Sequence, residues 1–134
     1  MLRTSPNPMR VLVMDDEPSM RKLLVSMIQR LGHEVQDAGT SEECLRLWRQ
    51  ASSTGKPFSL ALLDLTMPGD RDGLATLQLL RADGEDVHAI VTSGYHTDPA
   101  LTDPQHFGFR ARLGKPFTMA ALQSALREAA PRSQ

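Results

Sequence analysis

Residues 11–21 read VLVMDDEPSMR, a stretch in which four apolar side chains stand directly before three acidic ones. The run from Arg10 to Met14 has the length and composition of a buried strand. A helical pattern follows it, with apolar residues three and four positions apart until Gly32, where a C-terminal cap is expected. The stretch therefore predicts a strand, a short acidic loop and a helix, in that order.

The same unit of a strand followed by a helix recurs along the chain, and no internal sequence repeat accompanies it. The further strands are predicted over residues 33–38, 58–63, 87–91 and 109–113. The further helices are predicted to begin near Thr40, Gly73, residue 97 and Thr118. Strict alternation of strands and helices indicates a parallel sheet that is covered by helices on both faces.

The polarity of the predicted strands indicates their order in the sheet. The first, third and fourth runs are nearly all apolar, as central strands must be, whereas the second and fifth contain polar residues and suit the edges. With right-handed crossovers, these positions give the order 2-1-3-4-5. In such a sheet, functional groups gather at the carboxyl ends of the strands, near the point where the winding reverses.

Composition excludes several classes of protein. The 134 residues carry a net charge of −1, which argues against a domain that binds nucleic acid through its phosphates. Cys44 is the single cysteine, so no intramolecular disulfide can form and a cytoplasmic location is expected. No signal peptide or membrane-spanning stretch is expected. We expect one domain over residues 9–130, a disordered tail or linker over residues 1–8 and a frayed C-terminus over residues 131–134.

Charged and polar residues stand at the carboxyl ends of the predicted strands, and they are Asp15, Asp16, Asp64, Thr92 and Lys115. Clustered carboxylates repel one another, so they need a cation, and oxygen ligands suit Mg²⁺. A phosphoryl group carried by Asp64 would complete the metal's ligands and would form an acyl phosphate. Lys115 and Thr92 would supply a cation and a hydrogen bond to its oxygens.

Four stretches at the ends of the predicted strands carry a resemblance to a known family, and they are VLVMDDEPSMR (11–21), LLDLTMPGDRDG (62–73), IVTSGY (90–95) and LGKPF (113–117). Over residues 9 to about 130, the chain resembles the receiver domain of two-component response regulators. The loop after the third strand resembles that of receivers attached to hybrid sensor histidine kinases. The resemblance implies a flavodoxin-like, doubly wound (βα)5 fold with a five-stranded parallel sheet.

The resemblance also implies a function in two-component signalling or a phosphorelay. Asp64 would accept a phosphoryl group from a histidine kinase or a histidine phosphotransfer protein, so the domain would be a signalling switch and not an enzyme. Thr92 would be the hydroxyl that moves to the phosphoryl group, and Lys115 would bind its oxygens. The bond between Lys115 and Pro116 would be cis.

The same resemblance implies a metal site. Asp15, Asp16, the Asp64 carboxylate and the backbone carbonyl of Thr66 would bind Mg²⁺ or Mn²⁺. Direct contact with nucleic acid or with a membrane is not expected, and a weak homodimer is left open.

Two departures from the family pattern bear on the output of the domain. From Asp64 to Gly73 the chain has one residue more than the commonest receiver pattern, and Arg112 stands where a rotating Tyr or Phe often lies. Pro99 and Pro104 interrupt the fourth helix, which is therefore expected to be short or broken. The usual mode of dimerisation is therefore not carried over.

Two other functions are weighed beside the switch. A pseudo-receiver would keep the fold as a protein-interaction module without the switch, and Arg112 is its support. A Mg²⁺-dependent aspartyl phosphatase of the haloacid-dehalogenase type would need a second Asp where Thr66 stands. The cognate kinase, the stimulus, the phosphoryl lifetime, the oligomeric state and the choice between a stand-alone protein and an excised receiver stay open.

Overall fold

A computed structural model describes residues 7–131 of the chain. Its strands are β1 (Arg10–Met14), β2 (Glu34–Ala38), β3 (Leu60–Asp64), β4 (Ala89–Ser93) and β5 (Ala111–Gly114). Its helices are α1 (Pro18–Arg30), α2 (Ser41–Ser53), α3 (Gly73–Ala82), α4 (Pro99–Thr102) and α5 (Met119–Ala129), with a 3-10 turn over Pro104–Phe107. The tail expected over residues 1–8 and the frayed end over residues 131–134 fall largely outside the described residues.

The strands form one parallel sheet in the order β2-β1-β3-β4-β5, which confirms the predicted flavodoxin-like, doubly wound arrangement. Every residue of β3 and β4 is buried, whereas β2 is exposed or half-buried at every residue before Ala38 and β5 alternates buried with exposed or half-buried positions. The half-polar strands therefore lie at the edges, because an edge strand has one flank open to water.

Strands β3 and β4 end on polar residues, one or two positions later than the hydrophobic pattern predicts. Asp64 is the last residue of β3 and pairs with Thr92, and Ser93 is the last residue of β4 and pairs with Gly114. The ladder continues because backbone hydrogen bonds do not depend on the polarity of the side chain. As a result, the Asp64 and Thr92 side chains stand on regular strand backbone and not on a loop.

The helix ends follow the residues that cap them. Gly32 follows the C-cap residue Leu31 and adopts a φ of 95°, as the predicted C-terminal cap requires. The hydroxyls of Thr40 and Thr118 accept from the backbone N–H groups three residues later and cap α2 and α5. Pro99 begins the four-residue α4, and the chain continues into a 3-10 turn, so the expectation of a short, broken fourth helix is confirmed.

Two apolar layers cover the sheet. In one layer, α2, α3 and α4 pack against strand side chains such as Leu12 and Leu63. In the other layer, on the opposite face, α1 and α5 pack against Val13 and Leu62. Side chains alternate between faces along a strand, so the position of Asp64 continues the alternation that puts Leu62 on the α1 and α5 side. Within residues 7–131, no helix is both long enough and apolar enough to cross a membrane.

Candidate functional site

The carboxyl ends of β1, β3, β4 and β5 bring Asp15, Asp64, Thr92 and Lys115 to one edge of the sheet. The Lys115 Nζ lies 2.8 Å from Asp15 Oδ2 and 3.5 Å from Asp64 Oδ2. These residues are separated by up to 100 positions in the sequence, and parallel pairing of the strands is what joins them. The structure thus brings together the residues selected from the sequence, while their roles in a reaction stay predictions.

Asp15 is buried and all of its side-chain oxygens have partners. Its Oδ1 accepts from the Glu17 N–H at 2.9 Å, and its Oδ2 accepts from Lys115. Its own N–H donates to the Ala38 carbonyl at 3.1 Å, which continues the pairing of β1 with β2. Asp15 is therefore fixed in place by contacts from three parts of the fold.

The three carboxylates form an acidic cluster. One oxygen from each of Asp15, Asp16 and Asp64 lies within 4.8 Å of the others, and Asp16 is exposed while the other two are buried. A set of oxygen donors that is open to water on one side suits Mg²⁺, which keeps several waters, and Mn²⁺ favours the same ligands. The residues present therefore fit the metal that the sequence implied.

Burial has opposite consequences for the two charged partners. Loss of water raises the pKa of Asp64 to about 6 from 3.8, although the Thr66 N–H and the Lys115 ammonium favour the carboxylate. Burial also works against the Lys115 ammonium, but its hydrogen bond to Asp15 and the two carboxylate charges together raise its pKa. Lys115 is thus a cation at neutral pH, and Asp64 is a carboxylate whose charge is costly.

Thr92 and Thr66 both lie next to Asp64, the first on the neighbouring strand and the second two residues later in the chain. Thr92 lies opposite Asp64 in the ladder and is buried, and its carbonyl accepts from the Leu65 N–H at 3.0 Å. The Thr66 N–H donates to Asp64 Oδ1 at 3.0 Å. The structure therefore gives Thr66 a contact through its N–H group, and metal binding by its carbonyl stays a prediction. The cis bond implied between Lys115 and Pro116 is present.

The loop between β3 and α3, which carries the additional residue, is attached to α2. Asp70 Oδ2 accepts from the Ser41 N–H at 2.8 Å, and the Arg71 Nε donates to Ser41 Oγ at 3.2 Å. The Ser41 hydroxyl also bonds Thr76 Oγ1 at 2.7 Å in the buried interior. The longer loop is therefore held at its far end by a polar network that joins α2 and α3.

Arg112, the second departure from the family pattern, is bonded to α4. Its Nη1 donates to the carbonyls of Leu101 and Thr102, at 3.2 and 3.3 Å. These are carbonyls of the last turn of α4, for which a helix has no internal partner. Strand β5 is therefore linked to α4 by a charged side chain where the family often has an aromatic one.

One residue that contacts the site was missed in the sequence. The Arg21 guanidinium donates from Nη1 to the Asp15 carbonyl at 2.9 Å and from Nε to Asp37 Oδ2 at 3.0 Å. Arg21 ends the stretch VLVMDDEPSMR, so its closeness to the acidic pair was visible, but its partner Asp37 on β2 was not.

Similarity to known proteins extends over most of the chain. A family model described as the response regulator receiver domain matches residues 11–127. Transcriptional regulatory protein AruR of Pseudomonas aeruginosa is 38% identical over 85 residues, which are 63% of this chain and 34% of AruR. Sensor kinase CckA of Brucella abortus is 31% identical over 121 residues, which are 88% of this chain and 12% of CckA.

Solved structures agree on the fold. A chain in the CheX–CheY–BeF3–Mg²⁺ complex from Borrelia burgdorferi superposes with a TM-score of 0.76 over 89% of this chain and 87% of that one, at 23% identity. The chain spans well under two thirds of the length of AruR and CckA, at 34% and 12%. The activities of those whole proteins are therefore not transferred by the similarity.

Proposed function

The chain belongs to the response regulator receiver domain family, and on that premise we propose that Asp64 accepts a phosphoryl group from a phosphohistidine of a kinase or phosphotransfer protein. The domain is a receiver of two-component signalling and not a classical enzyme. The observation that carries the proposal is Lys115, which lies 2.8 Å from Asp15 and 3.5 Å from Asp64 inside a cluster of three carboxylates.

The proposed reaction is a nucleophilic substitution at phosphorus. An Asp64 carboxylate oxygen forms the new O–P bond while the P–N bond of the phosphohistidine breaks, and the imidazole leaves with the electron pair. With a pKa of about 6, Asp64 is mostly ionised at neutral pH and is able to attack. The Lys115 ammonium then offsets the charge of the phosphoryl oxygens, and the Thr92 hydroxyl donates to one of them.

Asp15, Asp16, Asp64 and the Thr66 carbonyl are the groups that would hold Mg²⁺ or Mn²⁺. A bound divalent ion supplies positive charge against the phosphoryl oxygens during the transfer. The cluster of oxygens within 4.8 Å supports this assignment, and so does the exposed position of Asp16, which leaves room for water ligands.

The biological setting is part of the same proposal. The relatives include a sensor kinase, CckA, and a transcriptional regulatory protein, AruR, and both contain a segment similar to this chain. The donor is therefore proposed as a class, a histidine kinase or phosphotransfer protein, and a cytoplasmic location is expected with it.

Acetyl phosphate tests the proposal without a cognate kinase. The protein is incubated with acetyl phosphate and Mg²⁺, and intact mass spectrometry is expected to show the addition of one phosphoryl group. The variant Asp64→Asn and the addition of EDTA should each abolish the adduct. The matched control is Asp86→Asn, which removes a carboxylate that is 94% exposed and leaves the site unchanged.

Beryllofluoride separates the switch from the pseudo-receiver, because BeF3 with Mg²⁺ occurs in the Borrelia complex of the same fold. A switch should show amide shift changes near Thr92 and along β5, where Arg112 bonds α4. No adduct in the wild-type protein and no shift changes would support the pseudo-receiver. Catalytic turnover of a simple phosphate ester would instead support the phosphatase.

A further inference from the structure

Arg21 contacts the acidic cluster without being a member of it. We propose that Arg21 is a positioning residue, which holds the backbone of Asp15 and thereby places Asp15 and Asp16 for binding a divalent cation. The inference rests on the proposed function, since it concerns the same metal site. Arg21 lies on α1. Among the hydrogen bonds and ion pairs of residues 7–131, none joins it to Asp64, the residue proposed to carry the phosphoryl group.

The first support is the complete set of partners around Asp15. Its N–H bonds Ala38, its two carboxylate oxygens bond Glu17 and Lys115, and its carbonyl accepts from Arg21 Nη1 at 2.9 Å. Asp15 is 1% exposed with Arg21 in place, so a variant without the guanidinium loses the charged donor that both covers and holds this carbonyl. The carbonyl belongs to the peptide unit that leads directly into Asp16.

The second support is the way in which the guanidinium itself is held. Its Nε donates to Asp37 Oδ2 at 3.0 Å, at the carboxyl end of β2. A Cβ placed on Gly39 would lie 2.9 Å from Arg21 Nη1, so the glycine leaves the space that the guanidinium occupies. Arg21 thus joins α1, the end of β2 and the acidic loop, and its planar group offers donors to two acceptors at once.

Charge and position predict opposite effects when Arg21 is replaced. Removing a cation near three carboxylates would by itself strengthen the binding of a divalent ion. Loss of the bond to the Asp15 carbonyl would loosen the two aspartates and weaken it. Position should dominate, because the Arg21 charge is already paired with Asp37 and partly exposed to solvent screening. Outer-shell partners of metal ligands typically affect metal affinity by about 10- to 100-fold.

The chain offers a matched control at the other end of the same strand pair. Arg10 donates from Nε to Glu34 Oε2 at 3.0 Å and from Nη1 to the Lys56 carbonyl, so it also joins a carboxylate to a backbone carbonyl. It begins β1, whereas the acidic pair follows the end of β1. Arg10→Gln therefore removes the same kinds of contact away from the metal site.

The experiment measures the dissociation constant for Mg²⁺ by isothermal titration calorimetry in the wild-type protein, Arg21→Gln, Arg21→Lys, Asp37→Asn and Arg10→Gln. Amide shifts of residues 15–17 during a Mg²⁺ titration give a second readout that does not depend on phosphorylation. We expect Arg21→Gln to raise the dissociation constant about tenfold, and Arg21→Lys and Asp37→Asn to raise it less. Arg10→Gln should leave it unchanged.

Phosphorylation by acetyl phosphate distinguishes the positioning role of Arg21 from the proposed function of Asp64. In Arg21→Gln, the Mg²⁺ concentration for half-maximal rate should rise, while the rate at saturating Mg²⁺ is retained. Equal or tighter Mg²⁺ binding in Arg21→Gln than in Arg10→Gln would overturn the positioning role while leaving the proposed function intact. A wild-type protein that neither binds Mg²⁺ nor forms the adduct would overturn both.

Discussion

Replacing Asp64 by asparagine is expected to stabilise the protein at neutral pH in the absence of a divalent cation. Asp64 is 1% exposed, and burial raises its pKa from 3.8 to about 6 in the folded state. The folded protein therefore holds the Asp64 proton more tightly than the unfolded chain does. Its contribution to stability is fully present below pH 3.8 and is lost as the pH rises through about 6.

The size of the effect follows from the shift in the pKa. A change from 3.8 to about 6 corresponds to roughly 3 kcal/mol at 1.36 kcal/mol per pKa unit. Asparagine retains an oxygen for the Thr66 N–H and carries no charge, and Lys115 keeps its bond to Asp15 at 2.8 Å. The free energy of unfolding of Asp64→Asn should therefore exceed that of the wild type by about 3 kcal/mol at pH 7.

Urea unfolding of both proteins between pH 4 and pH 7 in EDTA measures this difference. Trp48 reports unfolding by fluorescence, because it is 2% exposed and its ring centroid lies 5.6 Å from that of Phe58. The gain in stability should be small at pH 4, should grow as the pH rises towards about 6 and should level off above it. Asp103→Asn, which removes an exposed carboxylate, should show no such growth. A gain that is the same at every pH, or a variant less stable than the wild type at pH 7, would refute the argument.

Mg²⁺ provides a second arm of the same test. Binding only to the folded state stabilises a protein by about 2.7 kcal/mol at one hundred times the dissociation constant. The wild type should regain this stability when Mg²⁺ is added, whereas Asp64→Asn, which lacks one of the three carboxylates, should gain less. Equal stabilisation of both proteins would mean that Asp64 takes no part in binding the cation.

Three further predictions concern the scaffold. Burial lowers the pKa of His33, whose Nδ1 accepts from the Met9 N–H at 3.0 Å, so its contribution to stability is lost as the pH falls below 6.5. In urea unfolding, the free energy of unfolding of His33→Asn should therefore fall less between pH 7 and pH 5 than that of the wild type. Thr118→Ala should cost about 1 kcal/mol of unfolding free energy by removing the α5 cap, and Thr118→Ser should retain most of it; equal losses would contradict the cap. Gly73→Ala would place a Cβ 2.9 Å from the Asp64 carbonyl oxygen and should cost about 1 to 3 kcal/mol, whereas a Cβ on Gly94 meets nothing within 4 Å, so Gly94→Ala should melt like the wild type.

The sheet and the acidic cluster could be predicted because both depend on local patterns. Polar residues within the second and fifth strands marked the edges, and Asp15, Asp64 and Lys115 followed runs long enough to be recognised as strands. Once the strand order is known, the carboxyl ends of parallel strands meet at one edge without further information. The ends of β3 and β4 were placed too early because hydrophobicity, the signal used, stops before the backbone pairing does.

Contacts made by long side chains could not be predicted in the same way. The bonds from Arg21 to Asp37 and from Arg112 to the α4 carbonyls join elements whose relative positions come from packing and not from spacing. The attachment of Asp70 to Ser41 is similar, since it joins a loop to a helix that lies 29 residues earlier in the chain. A sequence pattern identifies which residues are charged, but the reach and direction of each side chain depend on the fold.

The charges in the cluster explain why cation binding and phosphorylation should strengthen each other. Asp15, Asp16 and Asp64 with the single ammonium of Lys115 give a net charge of −2 when all are ionised, and a divalent cation neutralises it. An aspartyl phosphate in place of the Asp64 carboxylate adds negative charge, since a phosphoryl group carries about −1.5 to −2. The cation should therefore bind more tightly to the phosphorylated protein, and by linkage it should favour phosphorylation by the same factor. The charge that makes Asp64 costly in the folded protein is thus also what makes the site respond to a cation, and a protein stabilised by Asp64→Asn should lose that response.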